Sequence, residues 1–323
     1  VSTSYPQVLA ITRRAPAANR ISATWARRDV GSRVRIVSDC EVTRLRVLSG
    51  RPQRVLDARA VTPKGRQVTI RARTFVVSAG AIASSYLLRR SGIGRGLPVG
   101  RQMSFNMGSP LTAEFDDPMD AYDGLQISHY GLPHPGRGFV LETWWNPPAT
   151  QAVNMPGWFE DHFDNMRRYR YLMAVGVLVG TRANAYLREA LTGGPGVVFT
   201  PEAEDLRKLA DGLAQVAEIL FAAGARRVMA NTWGYDVLTH PNQVGELYRI
   251  AGDPAYITLG TGHPQGGNAL SADPERGVVG PDFRVHGFGN LCVCDASVFP
   301  SSVTVNPQLT VMSLAHYAAR RIG

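Results

Sequence analysis

The sequence predicts a mixed α/β fold in which α/β segments at both ends of the chain enclose an antiparallel sheet. Three observations carry this. A β-rich stretch from Val34 to Gly80 runs straight into a helical one, Pro/Gly-punctuated strands fill the middle, and a strand followed by a helix closes the chain. At 323 residues there is room for two domains, since one takes about 150 residues.

In the first segment "VRIVSD", "CEVTRLRVL", "QRVLDARAVT", "QVTIRA" and "TFVVSAG" alternate polar with apolar residues or run apolar, and "SG" and "PKG" separate them as turns. The last strand ends in small residues and passes into "AIASSYLLRRSG", a helix closed by Gly92, so strand, tight turn and helix form one α/β unit. Between 107 and 199 the strand-like pieces are "SPLTAEF", "LQISHY", "FVLETWW" and "RYLMAVGVLVGT". Pro and Gly loops between them predict an antiparallel sheet.

The clearest helix is "TPEAEDLRKLADGLAQVAEILFAAG". Thr200 is its expected N-cap, Pro201 its first residue, and Gly224 its stop. Leu206, Leu209, Leu213, Val216 and Leu220 recur every three or four residues and make one apolar stripe for the core. From Tyr256 the α/β character returns, ending in strand "NLCVCDAS" and helix "NPQLTVMSLAHYAARRI". There Asn306 is the expected N-cap and Pro307 the first helical residue, with Arg320 and Arg321 at the negative end of the helix dipole.

The formal charge of +9 is spread over Arg–Arg pairs at 13, 27, 89, 167, 226 and 320. Scattered pairs without a nucleic-acid motif exclude a nucleic-acid binder. No run of about 18 apolar residues occurs, so no span of a membrane is expected. The opening "VSTSYPQVLAITRR" is too short in apolar residues for a secretory signal, and a cytoplasmic location is expected. The first residue is Val rather than Met, which suggests a fragment or a processed piece. Cys40, Cys292 and Cys294 show no zinc spacing and read as buried thiols.

The stretch "GTGHPQGGN" raises a choice between a phosphate cradle and a catalytic base. A dinucleotide cradle needs G-x-G-x-x-G, whereas Gly260, Gly262 and Gly266 leave three residues in the second gap. That spacing does not fit a cradle, and the residues by themselves leave His263 as either a base or a loop histidine with no partner. Neutral imidazole is a suitable acceptor for a hydroxyl proton near neutral pH.

Three ordered stretches resemble the glucose–methanol–choline (GMC) oxidoreductases, flavoenzymes that take hydride from an alcohol. They are "GAIASSYLLRRSGIG" at 80–94, the "HPQGG" segment, and "GVVGPDFRVHGFGNLCVCDASVFPSS" followed by "VNPQLTVMSLAHYAARRI". The resemblance implies FAD as cofactor, His263 as base and Asn306 as its partner on the substrate oxygen. Asn306 is also explained by capping alone, and the two roles are compatible, because a cap uses mainly the side-chain oxygen. The resemblance further places Val42 near the adenine, Asp295 and Ala296 against the ribityl and phosphate region, and Pro307 and Gln308 at the pyrimidine edge. Residues 1–106 and 256–323 are then parts of an FAD domain with Rossmann-like character, and 107–255 is the substrate domain.

Two departures follow from the same resemblance. The chain has no G-x-G-x-x-G, so it is expected to be the C-terminal portion of such an enzyme, its N-terminal FAD-binding half being a second chain or cut away. Gln102 and Asn106 stand where Asn and His are commoner in the family. The His–Asn pair resembles the cholesterol-oxidase-like arm and favours a bulky or apolar alcohol, with Trp144, Trp145, Trp158 and Tyr171 as candidate lining. A non-redox lyase on the same scaffold and a non-catalytic partner subunit are the alternatives. His286 and His316 are read as structural.

Overall fold

The computed structural model describes residues 8–11, 34–125, 127–133, 136–191 and 193–322. Strands β1 (Val8–Ile11) and β2 (Val34–Val37) pair in parallel. They precede an antiparallel meander of β3 (Glu41–Leu48), β4 (Arg54–Val61) and β5 (Gln67–Ile70). The expected α/β unit follows as β6 (Phe75–Val77) and α1 (Ala81–Arg90). Gly92, with φ 72°, takes the left-handed conformation that ends the helix.

β7 (Arg101–Glu114) begins eight residues before the predicted "SPLTAEF" and runs through residues 106 and 107 without a break, so the two parts of the chain share it. Next come β8 (Tyr130–Gly131), β9 (Phe139–Trp144), the short helices α2 (Pro148–Asn154) and α3 (Glu160–Arg167), and β10 (Leu172–Gly180). Of the predicted strand "LQISHY" only Tyr130 pairs; residue 126 lies outside the described residues. β11 (Tyr186–Glu189) and β12 (Pro195–Val198) form a hairpin before the long helix α4 (Ala203–Ala222). β13 (Arg227–Ala230), β14 (Val237–Leu238), α5 (Glu246–Ala251), β15 (Pro264–Gly267), β16 (Leu291–Val293) and α6 (Gln308–Ile322) complete the chain.

The central sheet has the order β14-β13-β7-β10-β9-β8, with β15 joining β7 as a seventh strand. Met107, Leu111 and Ala113 of β7, Phe139 and Leu141 of β9, and Val177 and Val179 of β10 pack on the α4 stripe as the first core. All five predicted stripe residues are buried there, each stabilising by about 1.5–3 kcal/mol. The opposite sheet face carries Asn106 and Gly108 of β7, Val140, Glu142 and Trp144 of β9, and Gly176 of β10. A second core joins Leu45, Phe75 and Leu88 to Phe283, Leu291 and Val293, because β16 lies parallel to β6.

Two predicted caps are corrected. Glu202, not Thr200, caps α4, since its capping box with Asp205 satisfies more of the exposed N–H groups than Thr200 could. The last helix begins at Gln308. The Pro307 carbonyl accepts from Val311 N at 2.8 Å, so Pro307 holds the cap place and Asn306 lies one residue before it.

Candidate active site

The "HPQGG" segment, expected as a loop, is a bulged strand: β15 runs antiparallel on β7, with Gln265 opposite Ser104 and a register shift between Gly266 and Gly267. The longer β7 supplies the pairing edge that local sequence does not announce. Just before it, Gly108 and Gly260 exchange both backbone hydrogen bonds at 2.9 Å, and the Thr261 hydroxyl accepts from His263 N at 3.0 Å. His263 is therefore held by its backbone while its ring stays half-buried. Nδ1 is enclosed without a hydrogen-bond partner, and burial pushes the imidazole pKa below its usual 6.5. Neutral imidazole is the favoured form.

Two fully buried amides then fix the segment ahead of Asn306. Gln265 donates from Nε2 to Asn106 Oδ1 at 3.1 Å and accepts from Val303 N at 2.9 Å. Asn106 donates to the Val305 carbonyl at 2.6 Å and accepts from the Ser302 hydroxyl at 2.8 Å. Leaving any of these buried groups unmade costs about 1–3 kcal/mol, so residues 302–305 have one strongly preferred path. That path brings Asn306 to Glu142, on the face of β9 turned away from α4.

Glu142 is 5% exposed, and its Oε2 has no hydrogen-bond partner. Burial raises its pKa; the approach of Asn306 and Trp144 opposes the rise without cancelling it. Sequence reading missed this residue. The available signal was one carboxylate in the apolar row Val140, Glu142, Trp144 of "FVLETWW". It missed Gln265 too, and noted Asn106 only as a departure. Of the four aromatic candidates, Trp144 shares the face of Glu142 and its ring abuts Gly176, where a Cβ would come within 2.2 Å of it. Trp145 bonds the Tyr122 carbonyl, Trp158 stacks on Trp233, and Tyr171 lies under Arg168.

A second cluster forms where β6 and β16 end together. Asp295 Oδ2 accepts from Gly80 N at 2.9 Å and from the Ser84 hydroxyl, and Oδ1 accepts from Ser297 N at 2.8 Å. The carboxylate of Asp295 thus ties the two strand ends to α1 and is saturated by protein donors. Gly80, with φ 86°, has open space where a side chain would begin. Both polar atoms of the Asn268 side chain and the Ser297 hydroxyl are buried without partners. An open glycine cradle and orphaned polar groups at the carboxyl ends of parallel strands fit a bound cofactor. Val42 packs against the second core from β3, apart from His263, and faces Ala60 in the register.

Two models of the GMC oxidoreductase family match in order, one over residues 11–107 and the other over 194–315. The chain belongs to the GMC oxidoreductase family. An uncharacterized GMC-type oxidoreductase of Mycobacterium tuberculosis is 30% identical over 87% of this chain and 44% of its own length. A long-chain-alcohol oxidase of Arabidopsis thaliana is 24% identical over 93% of the chain and 43% of its own. Among solved structures, a formate oxidase of Aspergillus oryzae superposes with a TM-score of 0.70 at 17% identity, covering 91% of this chain and 62% of the other. The chain spans about half the length of the curated relatives it matches.

One expectation is corrected by these matches. The N-terminal family model matches residues 11–107 of this GMC oxidoreductase, so sequence of the N-terminal family domain lies within this chain and a separate N-terminal chain is not supported. The match covers sequence that lacks G-x-G-x-x-G, so the absence of that motif does not by itself mark the N-terminal family domain as missing. Among the described residues no group of His, Cys, Asp and Glu could hold a metal, and no helix is long and apolar enough to cross a membrane.

Proposed function

We propose that this GMC oxidoreductase oxidises the CH–OH group of an apolar alcohol, with FAD as cofactor and His263 as base. The carrying observation is the shared clamp. Gln265, two residues after His263, holds the segment that presents Asn306, so base and partner are positioned by one hydrogen-bonded unit.

Nδ1 of His263 is the enclosed ring nitrogen, which leaves Nε2 to take the hydroxyl proton. Its lowered pKa keeps the ring neutral and ready to accept. The Asn306 side-chain amide holds the substrate oxygen, and Glu142 behind it fixes the amide's direction. Trp144 and Val140 supply an apolar roof that keeps water from the reacting groups, which is the ground for an apolar substrate. FAD would be held by Asn268, the Gly80 cradle and the backbone at Ala296 on its phosphate and ribityl side, by Val42 on its adenine side and by Gln308 N–H at the start of α6 on its pyrimidine edge. When bound, FAD supplies the hydride acceptor.

The test is anaerobic stopped-flow reduction of bound flavin by a medium-chain primary alcohol. His263→Ala is expected to keep its flavin absorbance and to slow reduction about 10²-fold or more. Reduction at the wild-type rate would remove His263 from the chemistry.

A further inference from the structure

Two of the scattered Arg–Arg pairs are not scattered in space. Arg167 and Arg168 at the end of α3 and Arg226 and Arg227 at the start of β13 meet around Glu114, the last residue of β7. With Asp164 and Thr239 they line a cavity of about 790 Å³. Asn106 lies eight residues back along β7, roughly 27 Å away at strand rise. The cavity is therefore separate from the candidate active site.

Glu114 is saturated. It accepts from Arg168 Nε at 2.9 Å and from Arg227 Nε at 2.6 Å, and these two cations hold its carboxyl below the usual range against the opposing effect of burial. Neutral groups lock the guanidiniums in place: Arg227 donates to Asn165 Oδ1 at 2.8 Å and to the Tyr235 hydroxyl at 3.2 Å, and Arg168 stacks on Tyr171 at 4.1 Å. Arg226 pairs only with Asp116, which is 75% exposed, and Arg167 makes no ion pair among the described residues. Four guanidiniums thus face two carboxylates in the lining. Donors on Arg167, Arg168 and Arg226 are left over, and the cavity carries an excess of positive charge.

We propose that this cavity binds the dianionic phosphate group of a phosphate monoester. Arg168, held by Glu114 and Tyr171, keeps donors in place for the terminal oxygens of phosphate, Arg167 and Arg226 add further donors at the rim, and a dianion offsets the excess charge where a single carboxylate would not. The shared chemistry has two sources, a free phosphate compound or a lipid headgroup.

Calorimetric titration of the whole chain with inorganic phosphate and with glycerol 3-phosphate, beside co-sedimentation with phosphatidylcholine vesicles with and without phosphatidic acid, tests it. The variants are Arg167→Ala/Arg226→Ala, the milder Arg167→Gln, and a charge-matched control, Lys64→Ala/Arg66→Ala, on the exposed turn after β4. Saturable binding is expected, weakened at least about tenfold by the cavity variants and less than about twofold by the control. Binding of the soluble compounds assigns the free source; binding only of phosphatidic acid vesicles assigns the headgroup; either supports the site if the cavity arginines are required. No saturable binding in any arm, or equal loss in the control, overturns it. Thermal unfolding without phosphate confirms that the variants fold, and Arg167→Gln alone decides if the double variant does not.

Discussion

His263 and Glu142 are both held toward their neutral forms by burial, the imidazole by a lowered pKa and the carboxyl by a raised one. The two shifts have opposite consequences for stability. For His263 the folded state binds fewer protons than the unfolded state, so it contributes stability that is present above 6.5 and lost as pH falls below it. His263→Gln should therefore flatten the fall in unfolding temperature between pH 7 and pH 5; an unchanged slope would mean the ring is solvated. For Glu142 the folded state holds its proton longer, so its contribution is full below 4.5 and lost as pH rises through the folded pKa. Glu142→Gln should unfold at a higher temperature than the wild type at pH 8, with the difference vanishing toward pH 4, as scanning calorimetry would show.

At the scale of elements, α4 and the sheet are matched through close contacts that propensity does not describe. Gly212 sits in the helix interior, where Ala is normally better by about 1 kcal/mol. Here a Cβ would lie 2.4 Å from Val177 Cγ1 and 3.1 Å from the Phe139 ring. Overpacking of that kind costs about 1–3 kcal/mol, so Gly212→Ala should lower stability in urea unfolding by about 1 kcal/mol net. A gain would mean that β10 yields easily. The stripe on α4, the α1 unit and strands β9, β10 and β16 were all legible, because period and turn chemistry are local. The strand identity of β15 was not, since its Gly and Pro residues oppose a strand and only the edge of β7 imposes one.

For the whole molecule, the clamp of Gln265, Asn106 and Ser302 joins the central sheet to the segment before α6. Gln265→Leu would strand Val303 N in the interior and remove one of the two donors to the Asn106 side-chain oxygen, costing about 2 kcal/mol, with faster hydrogen exchange at 302–306 than elsewhere. Uniformly faster exchange would make the role one of general stability. By itself the sequence determined the α/β class, the apolar stripe and, through ordered motifs, the family, since each rests on spacing between near neighbours or on matched order along the chain. Only the tertiary structure decided that Asn306 leaves the helix to meet Glu142, that Gln265 reaches Asn106 across 159 residues, and that two arginine pairs share a cavity. Such contacts depend on which strand edges and faces the collapsed chain brings together, and no local pattern encodes that.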